Sequence, residues 1–563
     1  MPDTTLITDG TVVTADDEFL GDILIQGEKI TAVGRVTAPE GATVIDASGC
    51  YVLPGLIDNH THLSMPIMGR MSSDDYDTGT RAAAAGGVTC LDDFAIQREP
   101  DNLHSALEQW SERADGAAHV DYGFHMAITN GSEPVLDDME AMVDAAGCYV
   151  LPGLIDNHTH LSMPFMGMMS SDDYDTGTRA AAAGGVTCLV DFAIQREPDN
   201  LGSALEQWSA RAEGAAHVDY GFHMAITNGS EPVLEDMGAM AEAGVCSFKL
   251  FMAYKGELMA RDDVLTACME RARDLGGLTM VHAENGDIVD LLVTRALARG
   301  ETSAIHHALT RPEFVEAEAT SRAARIAESV GAPLFVVHVT CAAAAAEIEA
   351  AQQRGAPVTA ETCVQYLTNT IDDLRRPGVE GCRYVCSPPL RDAANHEPLW
   401  AYVKRGVLES VSTDHCPFTD AQKARGLENF SLVPNGLALI QHRLSKLWDE
   451  GVVPGRITRS ELVARTSTTV ARRFGLRNKG ALLPGKDADV VVFDPAAPRA
   501  YGRATSLMNV DYDLYEGETA SASVRHTFCR GTLVYDRGEI RTEPGHGRFV
   551  RRSLTGRPEH ATA

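Results

Sequence analysis

From residue 148 onward the chain alternates short, continuous apolar runs with longer stretches of helical spacing. Residues 149–155, 186–194 and 218–226 read as buried strands. Runs that are apolar on both faces suit the wall of a parallel sheet. Between them, 178–183 is Ala-rich and stops at Gly184-Gly185, and 200–212 carries Leu201, Ala204, Leu205 and Trp208 at helical spacing. A third helix is predicted over 232–243, ended by Gly244. Further strands are predicted at 247–252, 278–282, 334–339, 358–362 and 408–413. Eight parallel strands with helices between them predict an α/β fold, a (β/α)8 barrel. The ends have another texture. Residues 5–48 and 479–540 hold short alternating strands separated by Gly and Asp turns, which predicts one small β-sandwich domain built from both termini. From Glu543 the chain is rich in Gly, Arg and His and reads as a surface arm.

A repeat changes the count. Residues 50–144 recur as 148–242, shifted by 98, with 10 differences in 95 aligned positions. Among these are Ile67/Phe165, Arg70/Met168, Asp92/Val190 and His104/Gly202. Solenoid units share only a pattern, so this near-identity reads as a recent internal tandem duplication within a domain or as an assembly error in the gene. Subtracting one 98-residue unit from 563 leaves 465 residues as the length to reason about. A barrel of eight strands cannot admit eleven without changing tilt and diameter, so one copy is extruded as surplus, or hybrids form from one copy's first strand and the other's later ones. Copy two, which runs directly into the strand holding Lys249, is expected to build the barrel. Copy one carries Asp92 where copy two has Val190, and an unpaired carboxylate inside a barrel wall is costly.

Acidic residues outnumber basic ones 79 to 48, a net charge of −31, which argues against a nucleic-acid or anionic-membrane partner. No apolar run approaches a membrane span. Residues 1–10 lack the basic and apolar segments of a secretory signal, and the 12 cysteines include no CxxC pair. A cytoplasmic protein with reduced thiols is expected.

His158 and His160, two residues apart at the end of an apolar run, point to one side of a strand. His282, His338 and Asp414 also end predicted strands, the place where barrel active sites gather. His306-His307 is set aside as helix or loop, and Cys416 as a packed thiol. The stretch Met163-Pro-Phe-Met-Gly-Met-Met169 follows the paired histidines and is read as pocket lining.

These motifs carry a resemblance. Pro152-Gly-Leu-Ile-Asp-Asn-His-Thr-His160 resembles the signature of the amidohydrolase superfamily. Ser247-Phe-Lys-Leu-Phe-Met-Ala-Tyr-Lys255, Val281-His-Ala-Glu284, Val337-His-Val-Thr340, Cys386-Ser-Pro-Pro-Leu390, Ser412-Thr-Asp-His-Cys-Pro-Phe418 and Pro434-Asn-Gly436 are similar to its dihydropyrimidinase/hydantoinase branch. The motifs stand in family order and span nearly the whole chain outside the surplus copy.

The resemblance implies two divalent metal ions per chain, usually Zn2+, bridged by a carboxylated Lys249. It assigns His158, His160 and Asp414 to the first metal and His282 with His338 to the second, with His60 and His62 of copy one as alternative ligands. It implies a bridging hydroxide that attacks a small-molecule cyclic amide, a 5,6-dihydropyrimidine or a 5-monosubstituted hydantoin, giving an N-carbamoyl amino acid. Asp414 is the expected proton carrier, Tyr254 the donor to the attacked carbonyl, and Ser387 and Asn435 the residues gripping the ring amide. An allantoinase- or dihydroorotase-like enzyme and a catalytically inert assembly homologue are the alternatives. A homotetramer is expected. The implied domains are 1–52 and 471–541 for the sandwich, 50–147 for the surplus copy, 148–470 for the hydrolase barrel and 542–563 for the tail.

Overall fold

The structure, a computed structural model, describes residues 4–14, 17–67, 70–98, 103–129, 145, 147–196, 200–483 and 485–554. They form two compact units, Met1–Asp144 and Ala145–Ala563.

The larger unit holds eight parallel strands in sequence order: β1 (Leu154–Thr159), β2 (Val186–Ile194), β3 (Asp219–Ala225), β4 (Ser247–Phe251), β5 (Leu278–His282), β6 (Leu334–Val336), β7 (Val358–Cys363) and β8 (Ser410–Ser412). The seam between β1 and β8 is bridged at Thr159–His415, where the His160 N–H also donates to the His415 carbonyl at 2.8 Å. Every residue of β1 to β5 is buried. That explains the unbroken apolar runs: one face of each strand packs on helices and the other fills the lumen. Ile155, Val190, Phe192, Met280 and Phe335 fill the lumen together with Phe474 and Leu476.

Local chemistry sets the helix ends. Helix α1 (Tyr174–Ala183) starts at Asp173, whose carboxylate accepts from the Thr176 N–H while the Thr176 hydroxyl accepts from the Asp173 N–H. It stops at Gly184, where a Cβ would lie 2.5 Å from the Ile440 carbonyl oxygen. Helix α2 (Leu201–Ala212) begins at Asn200 in the same reciprocal way.

Beside the barrel, Tyr149–Pro152, Val490–Asp494, Ser523–Cys529, Thr532–Asp536 and Glu539–Ile540 form a five-stranded sheet in that order. Residues 149–152 thus belong to this sheet and not to the barrel. The chain end departs from the expected surface arm. Phe549 bridges Tyr220, and the buried Arg552 guanidinium donates to the Phe222 carbonyl and to Ser247 Oγ. Backbone and hydroxyl oxygens of the barrel accept from that cation.

The smaller unit contains the N-terminal strands Thr4–Val13, Glu18–Gln26, Lys29–Gly34, Thr43–Asp46 and Tyr51–Val52 as a sheet of their own. It also contains copy one, whose strands Leu56–Thr61, Val88–Ile96 and Asp121–Ala127 pair in the register of β1 to β3. Its third helix, expected near 134–145, and the last residues 555–563 lie outside the described residues apart from Ala145.

Candidate metal centre

The C-terminal ends of the barrel strands bring the predicted residues together. His158 and His160 leave β1 with Nε2 atoms each 3.2 Å from Asp414 Oδ1. The donor atoms of these three side chains all lie within 4.8 Å of one another, a group suited to a metal ion. Lys249, on β4, places Nζ 3.1 Å from His158 Nε2. His282 ends β5 and faces the His338 ring, Nδ1 to Nε2, at 3.0 Å. All six side chains are buried. Tyr254, Ser387 and Asn435 line the same cavity, together with Met163, Phe165 and Cys416.

The outer partners of the imidazoles are carboxylates. Glu361, on β7, meets His158 Nδ1 at 2.6 Å, and its other oxygen accepts from Asn157 Nδ2. Glu284 meets His282 Nε2 at 2.7 Å. Donation from one ring nitrogen to a carboxylate fixes the tautomer and leaves the other nitrogen's lone pair for a cation. Among the described residues, His160 Nδ1 and His338 Nδ1 are buried without a hydrogen-bond partner. Two facing imidazole nitrogens, two orphaned ring nitrogens and carboxylates behind the rings are the chemistry of a cation site.

Burial sets the protonation states. It holds His158 and His338 well below the imidazole range, and His160 below it, keeping the neutral, ligating form. It also pushes Lys249 down to about 8, although Asp414 and Glu361 pull the other way. Burial acts against the Asp414 carboxylate too, but His158, His160 and Lys249 outweigh it and hold the group at about 2. Burial and the Glu284 charge push the Tyr254 phenol up. Cys416 is pushed well up by burial, so its thiol stays protonated.

Three site residues adopt left-handed backbone: Tyr254 at φ 65°, His338 at 42° and Asp414 at 51°. For non-glycine residues each costs about 1–3 kcal/mol and persists where the surrounding fold enforces it. Sequence reasoning did not single out Glu361 or Glu284. The available signals were an acid inside the strand run 358–363 and one two residues past His282. His307, set aside as a ligand, is buried with Nε2 2.9 Å from the Cys386 carbonyl and 3.1 Å from Ser387 Oγ. His60 and His62 are exposed in the smaller unit.

Comparison with known proteins agrees with this geometry. The profile of the amidohydrolase family matches residues 149–534. A D-hydantoinase of Streptomyces coelicolor is 45% identical over 416 residues, 74% of this chain and 89% of that protein. A dihydropyrimidinase of Rattus norvegicus is 39% identical, covering 73% and 80%. The crystal structure of a dihydropyrimidinase from Brevibacillus agri superposes with TM-score 0.72 at 37% identity, covering 99% of this chain and 100% of that one. Barrel, strand-end side chains and relatives agree, and the chain belongs to the amidohydrolase family.

Proposed function

We propose that the chain is a metal-dependent cyclic amidohydrolase that opens 5,6-dihydropyrimidines or 5-monosubstituted hydantoins to N-carbamoyl amino acids. The observation that carries this reading is the convergence of His158, His160 and Asp414 beside Lys249, His282 and His338. The relatives named D-hydantoinase and dihydropyrimidinase support the substrate class.

In this reading His158, His160 and Asp414 would hold one divalent ion and His282 and His338 a second, and Zn2+ suits both donor sets. Lys249 would be a further ligand as a carbamate. An amine held near pKa 8 keeps an uncharged fraction at neutral pH. That fraction adds to CO2: an N–C bond forms, the nitrogen's proton leaves to solvent, and an anion with two oxygens results. Bound divalent ions supply Lewis acidity, lowering the pKa of water and polarising a carbonyl.

The chain's own groups do the rest. Asp414, ionised and facing the cavity, takes the proton of the attacking water and passes it to the ring nitrogen as the C–N bond breaks. The Tyr254 hydroxyl donates to the carbonyl oxygen as negative charge develops there. Backbone groups at Ser387 and Asn435 grip the ring amide, and Met163 and Phe165 pack against its exocyclic substituent.

The finer architecture is part of the proposal. Residues 148–470 serve as the catalytic domain, 1–52 and 471–541 as the sandwich, 50–147 as the surplus copy and 542–563 as the tail. The chains assemble as a homotetramer, for which a monomeric mass by light scattering would be fatal. All 12 cysteines are unpaired thiols, which supports a cytoplasmic setting. Among the described residues no helix is long and apolar enough to cross a membrane.

Elemental analysis and an assay panel of dihydrouracil, 5-phenylhydantoin, allantoin and dihydroorotate test the reading. Two metals per chain and opening of either of the first two rings is the expected result. Turnover of allantoin or dihydroorotate alone, or a metal-free inert protein, would overturn it.

A further inference from the structure

Lys423 is wholly buried in the short helix Asp420–Lys423. Its ammonium donates to three backbone carbonyls, Val385 at 3.0 Å, Pro434 at 2.8 Å and Gly436 at 2.8 Å. Among the described residues no carboxylate pairs with it. A buried cation without a counter-ion is expensive, and burial pushes this one down to about 8. An apolar side chain of similar length would fill the same space at lower cost. The residue therefore needs a reason beyond packing.

The carbonyls it holds supply that reason. Val385 precedes Ser387 by two residues, and Pro434 and Gly436 flank Asn435. The two segments also touch directly, the Gly436 N–H donating to the Val385 carbonyl at 3.0 Å. Gly436 sits at φ +143°, and a Cβ there would lie 2.2 Å from the Cys416 carbonyl oxygen, so the backbone has no room on that side. Ser387, Asn435 and Gly436 all face the cavity that holds the metal-ligating group. Three carbonyl dipoles converging on one point repel each other unless a cation or donor stands between them.

We propose that Lys423 is a positioning residue for substrate binding: its ammonium fixes the separation of the Ser387 and Asn435 segments, and with it the spacing of the backbone groups that grip a ring amide. The inference rests on the cyclic-amidohydrolase reading of the site. Lys423 touches neither the metal-ligating side chains nor the reacting atoms. Its loss therefore acts on binding of the ring and leaves the metal content intact.

The test uses the full chain with Lys423→Met, which keeps the volume and removes all donors, and Lys423→Gln, which keeps two donors and no charge. Metal content, kcat and KM are measured with dihydrouracil and 5-phenylhydantoin. Lys423→Met is expected to retain its metal and to lose about tenfold to hundredfold in kcat/KM, chiefly through KM, the scale of a misplaced binding group. Lys423→Gln is expected to lose less. Should the Met variant fail to fold, the Gln variant carries the same readout. A wild-type KM in the variant that folds, or a loss confined to kcat or to metal content, would overturn the inference alone. A wild-type protein that binds metal but opens neither ring would overturn the amidohydrolase reading and this inference with it.

Discussion

His158, His160, His223, His307 and His338 are enclosed by the fold, and burial holds each imidazole below its ordinary range. This has a consequence for stability in acid. Below about pH 6.5 the unfolded chain takes up protons at these sites while the folded chain does not. The unfolded state then binds more protons, so stability falls as pH falls, by up to about 1.4 kcal/mol per pH unit for each fully shifted imidazole. Burial also pushes up the carboxyls of Asp156, Asp191, Glu316 and Glu361, which act in the opposite sense, so one imidazole is tested at a time. In urea unfolding of metal-stripped protein, the midpoint should fall less between pH 7.5 and pH 5.5 in His223→Gln than in the wild type. An unchanged pH dependence would contradict the burial argument. Lys249 has the opposite charge logic. As a plain ammonium 3.1 Å from His158 Nε2 it would repel any dication, so the proposed metal role requires it to become an anion. Lys249→Ala should lose metal and more than about a hundredfold in activity, beyond what removing an outer partner of a ligand costs. Added acetate or propionate should restore part of both. Wild-type turnover in Lys249→Ala without such acids would sink the carbamate.

Strand ends position this chemistry, and they work by bending the backbone where the ladder stops. The sequence predicts strands over 334–339 and 408–413, whereas β6 ends at Val336 and β8 at Ser412. Composition stays strand-like past those points, but His338 and Asp414 turn into left-handed backbone, which hydrophobic spacing does not encode. Gly436 lies on the same rim and gives a sharp test of its rigidity. Gly436→Ala meets both an unfavourable φ and the Cys416 carbonyl, and should cost about 3 kcal/mol or more. Gly455→Ala, at φ +78° with nothing within 4 Å of a Cβ, should cost only about 1–2 kcal/mol. Thermal melts of the two variants compare them directly, and equal shifts would refute the close-contact argument. The same distinction explains what could be read in advance. The barrel strands were legible because both faces are buried. The strand-end imidazoles and Asp414 were legible because few other roles suit those side chains there. Glu361, Glu284 and Lys423 were not, since their roles depend on partners the fold supplies, Glu361 reaching a histidine 203 positions away. Arg552 reads as a basic surface residue in sequence, and only the fold reveals the carbonyl it meets beneath β3.

At the scale of the whole molecule, two nearly identical segments occupy different environments. Their local structure is the same: Leu56 pairs with Val88 and Ile57 with Cys90, as Leu154 pairs with Val186 and Ile155 with Cys188. Their burial is not. Leu56 and Ile57 are 53% and 69% exposed, whereas Leu154 and Ile155 are 1% and 0% exposed. A parallel sheet normally has both faces covered, so copy one carries apolar surface that copy two buries inside the barrel. Asp92 fits this division. It is half-buried on the smaller unit's sheet, while its counterpart Val190 is fully buried and packs in the lumen with Phe192 and Phe335. An aspartate enclosed there would lose its hydration without gaining a partner. Metal binding and catalysis should therefore depend on copy two alone. His158→Ala/His160→Ala should abolish metal binding, and His60→Ala/His62→Ala should leave it intact. Deleting residues 50–147, which joins Gly49 to Cys148, should preserve metal content and activity per chain and reduce self-association, because it removes the exposed apolar strands. Elemental analysis, the hydrolysis assay and light scattering on these three variants decide the matter. Metal loss in the His60/His62 pair, or an inactive deletion that still folds, would place copy one in the working barrel. Equal partial losses in both histidine pairs would mean that the two copies share it.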